Sequence, residues 1–132
     1  MRKAIFAFTI VELTVVLIVV GILVTLAIGQ FSGSREQALK KEAQANLKLI
    51  AAAEKIYRLE TTVYMNQTDS SAVNSNLKLS LPITNPNWNY KVIGANTTTF
   101  TAKAGRVKDS NVTVLCINQT TEEPYNGTGC SW

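Results

Sequence analysis

The sequence predicts an α+β fold: a long N-terminal helix, over about residues 8–60, packed on a small antiparallel sheet of three to four strands. Three observations predict it. Residues 13–29, "LTVVLIVVGILVTLAIG", are uncharged and mostly apolar. Residues 35–60, "REQALKKEAQANLKLIAAAEKIYRLE", are polar, contain no Gly or Pro and are rich in strong helix formers. After residue 87, short runs with β-type alternation are separated by turn residues.

The chain starts with a short positive head, "MRKAIFA" (residues 1–7). Arg2 and Lys3 supply half of the net charge of +4, and the rest is scattered, so nothing points to nucleic acid. The apolar run, with its flanks "FTIV" and "QFSGS", is long enough to cross a bilayer, which takes about 20 residues. It is rich in Val and Ile, poor helix formers in water. In lipid the helix wins, because backbone groups need internal partners there. The basic head predicts a cytoplasmic N-terminus and export of the remainder of the chain.

One residue resists this reading. Glu12 is the only side-chain charge between Ala4 and Ser34. A carboxylate in hydrocarbon costs about 2.5–3.5 kcal/mol on insertion scales, so it needs a partner or a purpose.

From Arg35 the helix pattern turns amphipathic. Leu39, Ala43, Leu47, Ile50 and Tyr57 form one apolar stripe, and Leu49, Ala52, Ile56 and Leu59 a second on a neighbouring face. Glu36 with Lys40, and Glu54 with Arg58, are spaced as i,i+4 pairs on the exposed side. Residues 61–87, rich in Thr, Asn, Ser and Pro, read mainly as a loop. "WNYKVIG" (88–94), "TTFTAKA" (98–104) and "VTVLCIN" (112–118) read as three consecutive strands, hence an antiparallel meander with one face on the helix. Trp88, Tyr90 and Phe100 alternate within them and are expected in the core. "TTEEPYNGTGCSW" reads as a polar tail.

The chemistry is restricted from the start. The chain has no histidine, which removes Ser-His-Asp and Cys-His catalysis, HExxH zinc sites and histidine-ligated haem. Its two cysteines are too few for a four-thiolate zinc or iron–sulfur site. With no nucleophile–base pair, the expectation is a non-enzyme without metal or cofactor.

The N-terminus admits two readings. An ordinary secretory signal has a basic head, an apolar core and a small-x-small cleavage site, which Ala27-Ile28-Gly29 before Gln30 supplies. An acidic residue beside the apolar core and the helix-compatible continuation past Gly29 oppose it. "AFTIVELTVVLIVVGILVTLAIG" instead resembles the N-terminus of type IV prepilins and type II secretion pseudopilins. In that family a basic leader ends in a small residue, normally Gly, followed by Phe-Thr-Leu-Ile-Glu-Leu and an apolar helix. Here Ala7 replaces the Gly, Phe8-Thr9-Ile10-Val11-Glu12-Leu13 matches with conservative swaps, and Gly21 also fits. Gly29 stands where many pilins have a proline, so the bend that a proline imposes is not implied.

The resemblance implies residues 1–7 as a leader, 8–34 as a transmembrane and polymerisation helix, and 35–132 as an exported globular domain. A prepilin peptidase would cut between Ala7 and Phe8, and the new Phe8 amine would be methylated. The precursor would sit in the inner membrane as a single-pass protein, in contact with lipid. An assembly platform there would polymerise it into a helical homo-oligomeric filament, with Glu12 serving assembly. The filament would be an extracellular pilus for adhesion, motility or DNA uptake, or a periplasmic pseudopilus of type II secretion; a minor pilin is a third role. The remote alternative is an exported monomeric binding module with a plain signal peptide.

In an exported protein, Cys116 and Cys130 are expected to pair. The bridge would either fix a surface loop used in subunit contacts, as in many pilins, or simply staple a small domain. Asn66, Asn96, Asn111, Asn118 and Asn126 each begin an Asn-x-Thr triplet and are read as solvated surface. Asp109, Glu122 and Glu123 lack a cation-loop signature and are read as solvated charge.

Overall fold

The computed structural model describes residues 9–108, 114–127 and 130–132. The elements are α1 (Ile10–Thr61), α2 (Ser70–Leu77), β1 (Trp88–Ile93), β2 (Thr101–Arg106) and β3 (Val114–Asn118). The chain divides into two compact units, Met1–Ala38 and Leu39–Trp132, and α1 contributes to both. The architecture is α+β, with an apolar N-terminal helical segment and a three-stranded antiparallel sheet in the order β1-β2-β3.

In the second unit, the register sets up the core. Tyr90 pairs with Ala104, which pairs with Leu115; Val92 pairs with Ala102, which pairs with Ile117. Each inner row thus reads large–Ala–large, leaving a trough along the central strand. Ala43, Leu47 and Ile50 of α1 belong to the same buried cluster as these rows, Trp88 and Phe100. Of the first predicted stripe these three are fully buried, while Leu39 and Tyr57 are half-buried. Polar bonds fix the helix against β1. The Trp88 indole N–H donates to the Leu39 carbonyl at 2.9 Å, and Asn46 Nδ2 donates to the Tyr90 hydroxyl at 2.8 Å. Burial pushes the Tyr90 phenol up to about 12, with Asn46 opposing and Glu42 adding to the shift.

Three expectations need correction. Residues 61–87 contain a helix, α2, capped by Asp69, whose Oδ1 accepts from the Ala72 N–H at 2.9 Å. That bond holds the Asp69 carboxyl below its ordinary range. Ser and Asn give α2 little intrinsic propensity; burial of Ser70, Val73 and Leu77 makes up for it. The second strand begins at Thr101, three residues later than alternation suggested. Asn96 Oδ1 takes the backbone N–H groups of Thr98 and Thr99 at 2.8 and 2.9 Å, so a side-chain-mediated turn claims those residues. Glu54 is buried rather than on the exposed side, while Leu49, Ile56 and Leu59 of the second stripe are 47%, 59% and 85% exposed. Glu54 Oε2 accepts from the Met65 N–H at 3.0 Å, while Arg58 turns to the Tyr64 hydroxyl and ring, so no exposed Glu54–Arg58 pair forms.

The outer face of the sheet is covered as well, which is why β2 is buried on both sides. The disulfide between Cys116 and Cys130 (Cα–Cα 5.8 Å) lays the last segment across it. There Lys103 Nζ donates to the Ser131 carbonyl at 2.6 Å, and the Trp132 ring lies on Gly105 and under Lys91. A Cβ at position 105 would come within 2.5 Å of that ring and would have to displace it. A disulfide closing a loop of this size contributes about 3 kcal/mol in the chain-entropy picture.

Each edge of the sheet is met by a bridging residue. Val92 exchanges two 2.9 Å backbone bonds with Gln67, and the Tyr90 N–H donates to Ser70 Oγ. At the other edge Cys116 exchanges two 2.9 Å bonds with Tyr125.

Candidate functional site

The first unit presents an exposed apolar surface over Ile10–Ala27. Its segment Ile10–Ala27 has a mean hydropathy of 2.8 and none of it is buried. Its large side chains are 48–82% exposed. A helix apolar on every side is stable only when lipid or protein surrounds it. Eighteen helical residues span about 27 Å, close to the hydrocarbon thickness of a bilayer.

The segment's hydroxyls are satisfied internally. Thr14 Oγ1 donates to the Val11 carbonyl at 2.9 Å and Thr25 Oγ1 to the Ile22 carbonyl at 2.7 Å. Neither needs water, so both tolerate an apolar surround. A Cβ added at Gly21 would meet nothing within 4 Å, so its flank is open.

Glu12 occupies the third position of α1, directly above the cap. Thr9 Oγ1 accepts from the Glu12 backbone N–H at 3.2 Å, and the hydroxyl reaches the Glu12 carboxylate at 3.5 Å, the outer limit of a hydrogen bond. Thr9-Ile10-Val11-Glu12 is therefore the capping-box sequence, in which a threonine cap and a glutamate three residues later serve one helix start. The positive end of the helix dipole favours a carboxylate there. Thr9 is the residue that sequence reasoning missed. The signal was present, since Thr-x-x-Glu before an apolar run is a helix-start pattern.

Ala7 and Phe8, the expected cleavage and methylation positions, lie outside the described residues, as do Asp109 and Asn111. Cys116 and Cys130 are brought together far along the sequence from Glu12. Glu123 forms an ion pair with Lys48 of α1, and Glu122 is exposed. Among the described residues no cluster of His, Cys, Asp or Glu could hold a metal ion. Asn66 and Asn118 spend their side-chain oxygens on backbone N–H groups: Asn66 accepts from Ala95 and ties two distant loops together, while Asn118 accepts from Thr120 and Thr121 and forms a local turn.

No family model, curated protein or solved structure matches the chain.

Proposed function

We propose that the chain is a structural subunit of a type IV pilus filament, made as an inner-membrane precursor and polymerised through its apolar helix. One observation carries the proposal: a single carboxylate stands in the first turn of an otherwise uncharged, wholly exposed apolar segment, on a helix that continues into a folded α+β domain. Such a helix requires a surrounding apolar phase, which lipid supplies before assembly and neighbouring helices supply after it. Cleavage after Ala7 by a prepilin peptidase creates an amine at Phe8, one helical turn before Glu12. The amine of a neighbouring subunit, shifted along the fibre, then meets the Glu12 carboxylate and fixes the register of the incoming copy. The pseudopilin and minor-pilin roles share this mechanism. No catalysis by the chain is involved.

The test separates processing from assembly. Intact-mass analysis of native protein is expected to give an N-methylated Phe8 start; a start at Gln30 supports the plain signal-peptide reading and overturns the proposal. Leaving one charge of a buried pair alone costs about 3–5 kcal/mol. Glu12→Ala and Glu12→Gln are therefore expected to be cleaved normally, with sheared-fibre yield reduced at least about tenfold. Normal fibre yield from both variants removes Glu12 as the register device.

A further inference from the structure

The second stripe of α1, extended by Ala45 toward the N-terminus, is an exposed apolar face. Ala45, Leu49, Ala52, Ile56 and Leu59 are all exposed, the last two at 59% and 85%. Their spacing alternates four and three residues. That is the d-a-d-a-d seam of a two-helix coiled coil, with Leu49 and Ile56 at a and Ala45, Ala52 and Leu59 at d. The face is bordered on one side by the end of α2. With Asn76, Leu77, Lys78 and Leu79 as its wall, it forms a groove of about 310 Å³.

We propose that a second copy of this chain occupies the seam, its α1 lying parallel and in register. The charges flanking the seam choose the orientation. Lys48 and Lys55 stand at g positions and Glu60 at the e position of the last turn. In a parallel, in-register pair each g residue meets the e residue five positions on in its partner, so Lys55 meets the second copy's Glu60, and the reverse. An antiparallel pair aligns g with g and sets lysine against lysine. A parallel pair slipped by one heptad forfeits both Lys55–Glu60 contacts and leaves Lys48, already engaged with Glu123, as the only candidate for Glu60. The alanines at d allow close approach, and the Leu and Ile at a supply the buried surface. This pairing goes beyond the filament reading: it needs neither the apolar segment nor Glu12.

Cysteine cross-linking of the full-length chain in membranes tests it. Ala45→Cys and Ala52→Cys are each expected to give disulfide-linked dimers on mild oxidation, including in the Glu12→Gln background, where fibres are lost. Lys55→Glu is expected to lower cross-linking at position 45 about fivefold, the scale of two exposed ion pairs, and addition of Glu60→Lys to restore it. Absence of dimers at both positions overturns the proposal and assigns the seam to lipid or a different protein. Linkage of Ala45→Cys copies to Ile56→Cys copies, without the Ala45 homodimer, marks an antiparallel pair and equally overturns it. Loss of cross-linking with Glu12→Gln alone places the contact inside the fibre and refutes an independent pair.

Discussion

Two carboxylates on α1 are handled in opposite ways. Glu12 sits at the start of the helix, where Thr9 and the helix dipole receive it, amid side chains that are all exposed. Glu54 sits deep in the second unit, wholly buried, with one oxygen accepting from Met65 and Oε1 without a partner. Around Glu12 the apolar side chains stay exposed; around Glu54 the protein has buried its own. One helix thus carries two kinds of hydrophobic residue, those its own domain buries and those it leaves for others.

The sharpest way to break this division is to truncate one leucine from each kind. Leu47→Ala is expected to destabilise the second unit by about 2–5 kcal/mol, the range for a fully buried leucine. Leu17→Ala, in the exposed segment, is expected to leave it within about 0.5 kcal/mol of wild type. Urea unfolding in detergent, followed by near-UV circular dichroism, compares them. Comparable losses from both would mean that the domain uses the apolar segment for its own stability.

A smaller effect should come from Glu54. Burial raises its pKa above the ordinary 4.5, against the opposing Met65 N–H. The folded state therefore binds this proton more tightly than the unfolded state. Its contribution to stability is full below the ordinary glutamate range and is lost as pH rises through the raised value. Glu54→Gln is expected to stabilise the domain at pH 8 and to lose that advantage near pH 4. Equal pH dependence of the two proteins would show that the carboxylate is not penalised by its site.

The same division separates what is legible in the sequence from what is not. The long helix and the meander are readable because they depend on local periodicity and turn chemistry. Which of two equally apolar stripes faces inward is not readable, because Leu47 and Leu49 differ only in what the sheet brings to them. Glu54 looks like half of a surface pair because its burial depends on the chain folding back through Tyr64 and Met65. Helix α2 is hidden by its Ser and Asn content, though Asp69 with Val73 and Leu77 is a cap followed by an i,i+4 apolar pair. The glycine at 105 gives no hint that Trp132, remote in sequence, lies on it.

The smallest expected effect lies at the end of α1. The start has a threonine cap; the end has Thr62 at a φ of 69°, a left-handed conformation that a β-branched residue resists. Relief of about 1–2 kcal/mol of strain, less about 0.5–1 kcal/mol of glycine's extra unfolded-state entropy, leaves a modest gain. Thr62→Gly is expected to stabilise the domain by about 0.5–1 kcal/mol in the same urea assay, and a loss of stability would show that the turn does not strain this residue.

The bridged edges of the sheet bear on what crowding does to this domain. On the filament reading proposed above, copies concentrated on a membrane or along a fibre would meet at very high local density, the condition under which an open strand recruits its neighbour and seeds cross-β growth. Gln67 and Ser70 at one margin and Tyr125 at the other occupy the backbone groups that such recruitment would use. Encounters between neighbours are left to side chains, whose shapes and charges admit only particular mates. A copy that docks wrongly therefore finds the middle of each edge already taken, which weakens any backbone zipper.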